Sequence, residues 1–104
     1  MVHHNPDEKD KPSGITDTKA LLELLQAHKQ VKVLVFGHTH VWSHTEKDGL
    51  HMVNLPPTAY VFKEGLPSGW TDLRLRDDGA TFQLHALKED HPANKQKFEL
   101  KWRA

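Results

Sequence analysis

The segment 70–87 alternates apolar and polar residues around Asp78-Gly79, a dipeptide typical of two-residue β-hairpin turns. When the two arms are paired outward from this turn, their apolar residues share one face. The predicted pairs are Leu75 with Phe82 and Leu73 with Leu84 on the apolar face, and Asp72 with His85 on the other. Because turn and alternation agree, this segment predicts an antiparallel pair that is buried on one side.

Upstream of this hairpin, residues 17–29 are predicted to form a helix that begins at Asp17 as N-cap. Its apolar stripe, which is predicted to face the core, consists of Leu21, Leu22, Leu24, Leu25 and His28. The run Val31 to Phe36 is rich in β-branched residues, which predicts a buried strand that ends at Gly37. Residues 5–14, with two prolines and a charge run, are predicted to form an exposed loop.

A second hairpin is predicted around the turn signal Glu46–Gly49. Its predicted cross-strand pairs are His44 with His51 and Trp42 with Val53. Residues 88–96 are polar and include Pro92, so a linker is predicted there. The alternation at 97–103 then predicts a final edge strand.

Composition narrows the class of protein. The chain has 104 residues, 37% of them hydrophobic and 27% charged, which suits one small globular domain. Its formal net charge of +0 gives no electrostatic reason to expect nucleic acid or an anionic membrane as partner. No apolar run approaches the ~20 residues of a membrane span. The first residues do not form a secretory signal and cysteine is absent, which favours the cytoplasm but leaves the compartment open.

The most informative feature of the composition is its high histidine content, with nine histidines in the chain. Gly37-His38-Thr39-His40 directly follows the predicted buried strand, and the end of such a strand is where α/β sheets usually bind ligands. Gly37 permits a turn there that lets both imidazoles converge on Zn, Mn or Fe. A second cluster, His3-His4, is followed by Pro6, which turns the chain away.

The two histidine motifs resemble the last two metal-binding blocks of the calcineurin-like metallophosphoesterases. Val53–Pro56 and Pro67–Trp70 are similar to segments that follow those blocks, and the resemblance covers roughly residues 2–87. It implies an α/β fold, namely the C-terminal half of a layered αββα sandwich with one main helix and mixed and antiparallel strands. Residues 1–87 would be that C-terminal portion, and residues 88–104 a linker with a terminal edge strand.

The resemblance also implies a metal site. By analogy, His3 and His38 would bind one metal and His40 a second, with His4 as the alternative to His3. The cofactors would be two divalent transition metals (Mn, Fe or Zn), at which hydroxide attacks a phosphoester. The substrate would be a phosphodiester, with cyclic nucleotides among the options.

The family's earlier blocks, Asp-x-His, Gly-Asp-x-x-Asp and Gly-Asn-His-Asp/Glu, do not occur in the chain. Two dications about 3.5–4 Å apart need a bridging carboxylate, and histidines alone bring no negative charge. We therefore expect a missing N-terminal half, a hydrolase as the parent protein, and an inactive chain by itself. The alternative is a non-enzymatic structural or self-associating module, and a homo-oligomer is expected for the fragment in either case.

The other histidines have plainer interpretations. His28 is predicted to lie at the core edge, His85 to form a surface pair with Asp72, and His91 to belong to the linker. His44 and His51 are predicted to face solvent across their hairpin, with metal chelation as the alternative. The three tryptophans, Trp42, Trp70 and Trp102, are predicted to be packing residues.

Overall fold

The computed structural model describes residues 1–7 and 13–104, so residues 8–12 of the predicted loop lie outside the described part. The elements are α1 (Thr18–Ala27), β1 (Val33–Phe36), β2 (Ser43–Lys47), β3 (Leu50–Asn54), β4 (Gly69–Arg76), β5 (Gly79–Ala86) and β6 (Lys97–Lys101). This is the α/β class with one main helix that the sequence predicted. Among the described residues, no helix has the length and apolar character needed to cross a membrane.

The strands form two three-stranded sheets. The first has the order β1-β3-β2, in which β1 runs parallel to β3 and β2 runs antiparallel to it. The second has the order β4-β5-β6 and is antiparallel throughout. The mixed and antiparallel strands are therefore those expected of a partial sandwich.

The alternation of side chains along β1 explains the layers. Val33 and Val35 pack against the cluster that joins the two sheets, whereas Leu34 packs towards α1. The buried members of the inter-sheet cluster are Trp42, Val53, Ala80, Phe82, Leu84 and Leu100. Those of the cluster beneath α1 are Leu22, Leu34 and Leu50. Helix, first sheet and second sheet thus form three successive layers.

The C-terminal tail is part of this packing. Strand β6 is the edge of the second sheet, and Phe98 stacks on Trp42 with ring centroids 4.1 Å apart. Arg103 reaches the end of α1, where its Nη2 donates to the carbonyls of Leu25, His28 and Val31 at 3.0, 3.2 and 2.8 Å. Leu25 lies in the last turn of α1 and His28 is its C-cap, so Arg103 ties the end of the chain to the end of the helix.

Both predicted hairpin registers are wrong by two residues. In the first hairpin His44 lies opposite Val53 and Glu46 opposite His51, because the loop is only Asp48-Gly49. Both loop residues have positive φ, 50° and 82°, as a type I′ turn requires. Trp42 precedes β2 and has no strand partner.

In the second hairpin the loop is Asp77-Asp78, and Gly79 pairs with Arg76 as the first residue of β5. A Cβ on Gly79 would lie 2.0 Å from the carbonyl oxygen of Leu100, so glycine is required there by the close approach of β6. The observed pairs are Leu75 with Ala80, Leu73 with Phe82, Asp72 with Gln83, and Trp70 with His85.

The helix is shorter than predicted, and its stripe is narrower. Asp17 makes no side-chain capping bond, whereas the buried Thr18 Oγ1 donates to the carbonyl of Ile15. Leu24 is 59% exposed and His28 is exposed as well. Both were wrongly assigned to the core-facing stripe, because the first sheet contacts only one side of a short helix.

Candidate metal site

The Gly-His-Thr-His loop follows β1, and the N-terminus of the chain lies beside it. The backbone N–H of Val2 donates to the carbonyl of Val35 at 2.9 Å, and that of Gly37 donates to the carbonyl of His3 at 2.9 Å. These two bonds place the first residues alongside the end of β1. The two histidine motifs, 35 positions apart, are therefore neighbours.

The rings of His3 and His38 are in direct contact. His38 Nδ1 lies 3.3 Å from His3 Nε2, and the His4 ring centroid lies 4.3 Å from that of His38. His3, His38 and His40 line one open cavity of about 280 Å³. The remaining walls of the cavity are Gly37, Leu55, Pro56, Pro57, Thr58 and Ala59.

His40 is oriented from the loop that follows β3. Its Nδ1 lies 2.7 Å from the carbonyl oxygen of Tyr60, so Nδ1 carries the proton and Nε2 keeps its lone pair. Its ring stacks on Phe62 at 4.1 Å and 10°. A backbone carbonyl on one imidazole nitrogen is the arrangement that prepares the other nitrogen for a metal. Neither aromatic residue was predicted from the sequence.

The loop backbone is strained at the histidines. His38 has φ 72° and His40 has φ 58°, both in the left-handed region, which costs a non-glycine residue about 1 kcal/mol or more. The positive φ values therefore do not fall on Gly37, where the turn was predicted to need them. A Cβ on Gly37 would meet the His3 carbonyl oxygen at an ordinary 3.8 Å.

A buried amide holds this loop in place. Asn54 is 6% exposed and its Nδ2 donates to Thr39 Oγ1, while Thr39 N donates to the carbonyl of Gly37 at 2.9 Å. Asn54 ends β3 and lies opposite Phe36 of the parallel β1, which brings it to the same end of the sheet. The polar Asn54 at the end of an apolar strand was the available sequence signal for this contact.

The spacing of His3 and His38 suits two ligands of the same metal ion. Two nitrogens bound to one tetrahedral zinc at 2.0–2.1 Å lie about 3.3–3.4 Å apart. The His3–His38 separation of 3.3 Å matches that value. Within residues 1–7 and 13–104, however, no three histidine or carboxylate side chains are grouped to hold an ion, so a bridging carboxylate is absent there. The histidines therefore fit a metal ion as some of its ligands, and further ligands are needed to complete the site.

A second histidine pair lies in the first hairpin. His51 is 3% exposed, its Nε2 donates to the carbonyl of Lys101 at 2.7 Å, and its Nδ1 lies 2.9 Å from His44 Nε2. Burial, and then the neighbouring His51, lower the pKa of His44, while Glu46 acts in the opposite direction. The prediction that this pair faces solvent is wrong, because His51 shares a face with the core residue Val53 and the C-terminal end of β6 covers it.

His85 and His91 make their contacts outside these two clusters. His85 does not pair with Asp72; it stacks on Trp70 at 4.1 Å. His91 Nε2 donates to the carbonyl of Gly65 at 2.8 Å, which ties the segment before β6 to the loop before β4.

Comparisons with known proteins agree with this fold. No family model matches the chain. It is 31% identical to a probable cyclic nucleotide phosphodiesterase of Synechococcus sp., covering 86% of the chain and 38% of that protein. It is 32% identical to the 3′,5′-cyclic adenosine monophosphate phosphodiesterase CpdA of Pseudomonas aeruginosa, covering 74% of the chain and 33% of that protein. The chain belongs to a metallophosphoesterase family.

Solved structures show the same fold. Vps29 from Entamoeba histolytica complexed with Zn²⁺ superposes with TM-score 0.62 at 20% identity, over 95% of the chain and 52% of Vps29. A predicted phosphoesterase from Streptococcus pneumoniae superposes with TM-score 0.56 at 15% identity, over 80% of the chain and 48% of that protein. This metallophosphoesterase chain therefore spans about a third of its curated relatives and about half of its structural neighbours.

Proposed function

We propose that this chain supplies the histidine ligands of a metal-dependent phosphodiesterase, and that the whole protein hydrolyses phosphoesters, with cyclic nucleotides as the first class to test. The observation that carries the proposal is the 3.3 Å separation between His3 Nε2 and His38 Nδ1 beside an open cavity. The two curated relatives, both named as cyclic nucleotide phosphodiesterases, support the substrate class.

Each residue has a distinct role in this proposal. His3 and His38 hold one divalent ion, and His40 presents its free Nε2 to a second, with His4 as the alternative to His3. Mn, Fe and Zn all accept imidazole ligands. A bound divalent metal supplies Lewis acidity towards a phosphoryl oxygen and acidifies water.

The other residues of the loop act as supports. Asn54 holds Thr39 and keeps the strained loop closed, while the Tyr60 carbonyl and the Phe62 ring fix the orientation of His40. Preorganised ligands of this kind avoid the entropy loss of ordering them when the metal binds.

Because this cavity lacks a bridging carboxylate among the described residues, we do not expect the chain to hydrolyse phosphoesters by itself. Two adjacent dications repel each other, and the described residues offer them only neutral imidazoles at this cavity. We propose that further ligands come from the rest of the enzyme. The 104-residue chain should therefore show negligible hydrolysis of bis-p-nitrophenyl phosphate with excess Mn²⁺. Turnover that survives purification and disappears in His38→Ala would contradict this.

Titration calorimetry with Zn²⁺ tests the ligand assignment directly. We expect weak binding by the chain and a loss of at least tenfold in affinity, about 1.4 kcal/mol, in the variant His38→Ala, His40→Ala. The matched control is His28→Ala, which removes an exposed histidine outside the cavity and should leave affinity unchanged. If the double variant binds like the parent chain, the assignment is wrong.

A non-enzymatic role as a self-associating module is the second candidate. It is supported by the edge strand β4, where Leu73 and Leu75 are 46% and 70% exposed. Exposed apolar side chains on an unpaired edge are unusual in a chain that acts as a monomer.

A further inference from the structure

Strand β4 (Gly69–Arg76) has a free outer edge. Within the described residues it forms a ladder only with β5, and the backbone of Trp70–Leu75 makes no other hydrogen bond there. Edge strands present a row of unpaired donors and acceptors, which is a template for another strand. At eight residues β4 is long for an edge that natural proteins leave open.

The side chains of β4 divide into two faces. Leu73 and Leu75 lie opposite the buried Phe82 and Ala80, so they are on the core side of the sheet. They are nevertheless exposed, and neither packs against the cluster between the two sheets. Leu73 and Leu75 therefore form an exposed apolar strip along the free edge, on the face of the sheet that is turned towards the core.

The opposite face carries charges in an alternating order. Asp72 and Arg74 lie on this face, with Asp72 Oδ2 3.5 Å from Arg74 Nη2. Directly opposite residues in an antiparallel pair share a face, so any strand added to β4 must match both the apolar strip and this charge order.

We propose that β4 pairs antiparallel with β4 of a second copy of this chain, in the register centred on Leu73. This register sets Leu73 against its own copy and Thr71 against Leu75 on the apolar face. On the other face it sets Asp72 opposite Arg74 twice, once on each side of the two-fold axis. The interface is isologous, and it joins two three-stranded sheets into one of six strands.

Neighbouring registers are worse electrostatically. Centring the pair on Asp72 sets Asp72 against its own copy, and centring it on Arg74 sets Arg74 against its own copy. Like charges directly opposite each other destabilise a sheet. Registers shifted by one residue set leucines opposite charged residues and lose the apolar strip. The register centred on Arg74 also pairs Asp72 with Arg76, so of these three registers only the one centred on Leu73 pairs opposite charges without setting like charges opposite each other.

Sedimentation equilibrium of the whole chain at micromolar concentrations tests the proposal. The parent chain should be a dimer in equilibrium with monomer. Asp72→Arg alone and Arg74→Asp alone each set like charges opposite in both copies, and each should raise the dimer Kd at least tenfold. Lys19→Asp on the exposed side of α1 repeats the charge change of Arg74→Asp away from β4 and should leave the Kd unchanged.

Two further samples distinguish strand pairing from a general charge effect. The double variant Asp72→Arg, Arg74→Asp restores complementary pairs and should dimerise within about threefold of the parent. An equimolar mixture of the two single variants should form a heterodimer, since one strand then carries two arginines and the other two aspartates. A monomeric parent, single variants that dimerise like the parent, or a double variant no better than the singles would overturn the proposal.

Cross-linking checks the register itself. The chain has no cysteine, so Leu73→Cys introduces a single thiol at the proposed two-fold axis. Directly opposite residues in an antiparallel pair lie about 4.5–5.5 Å apart at Cα, within disulfide range. Mild oxidation should give a disulfide-linked dimer for Leu73→Cys and not for the control Leu24→Cys, which is 59% exposed on α1. Equal cross-linking of the two would contradict the register.

Discussion

Two histidine clusters lie near opposite ends of the first sheet, and they use their ring nitrogens in different ways. His51 pairs with Val33 at the start of β1, is 3% exposed and bonds through both nitrogens. His38 follows the end of β1 and, among residues 1–7 and 13–104, has only His3 Nε2 within hydrogen-bond range of its ring, beside an open cavity. Two histidines close in space are therefore not enough to indicate a metal site.

The backbone marks the same difference. His38 and His40 have left-handed φ values, whereas His44 and His51 have ordinary strand conformations. Backbone strain that the surrounding structure maintains is concentrated at functional sites. The strained cluster is the candidate for metal binding, and the relaxed one, in which His51 bonds through both ring nitrogens, contributes to stability.

The largest effect is expected from His51→Ala. The change leaves the Lys101 carbonyl and His44 without their partner and opens a cavity, so the free energy of unfolding should fall by about 2–3 kcal/mol. Urea denaturation measures it. The control, His28→Ala, is exposed and should change stability by less than about 0.5 kcal/mol. If the His51→Ala variant is as stable as the parent, this cluster does not have the structural role assigned to it.

A substitution in the cluster around His38 is expected to raise the free energy of unfolding rather than lower it. His38→Gly relieves a left-handed φ of 72° and should raise the free energy of unfolding by about 0.5–1 kcal/mol, while weakening Zn²⁺ binding. Lys95→Gly, at φ 71°, is the matched control. It should gain similar stability without any change in Zn²⁺ affinity. If His38→Gly destabilises the chain, strain at this loop does not support a functional interpretation.

A smaller effect is expected from Phe62→Ala. The ring is 66% exposed and stacks on His40, so its loss should lower Zn²⁺ affinity by about threefold through looser ring orientation. Stability should change by less than about 0.5 kcal/mol. Leu87→Ala, an apolar residue that is 60% exposed elsewhere, should leave Zn²⁺ binding as it is. Calorimetry that finds equal affinities for both variants would argue against His40 as a ligand.

The smallest effect concerns pH. His44 has a pKa lowered by burial and by His51, so the unfolded chain takes up its proton at a higher pH than the folded chain does. Stability from this group is complete above the unfolded value of about 6.5 and is lost as pH falls from there towards the folded pKa. Urea denaturation in metal-free buffers should show this decline. It should be shallower in His44→Gln and unchanged in His28→Gln, and equal slopes in all three proteins would contradict the assignment.

Short-range patterns predicted the elements well and their partners less well. The helix, the buried strand before Gly37, both hairpins and the final strand are all present. The hairpin registers were wrong because each turn was placed one position away from the observed loop, although Asp48-Gly49 and Asp78-Gly79 are the same dipeptide. Only the first is a turn with positive φ, whereas Gly79 is a strand residue that β6 approaches closely.

The histidine motifs and their order along the chain could be recognised from local sequence, because a glycine-ended apolar strand and a nearby His-x-His are local features. The contact between His3 and His38 depends on two backbone bonds between the N-terminus and β1. Other features depend on hydrogen bonds between residues that are 15 to 78 positions apart. They are the tautomer of His40, the support of the loop by Asn54, and the carbonyl acceptors that Arg103 contacts. Such contacts have no periodicity to detect, so they are determined only when the two sheets pack against each other and the helix covers the first.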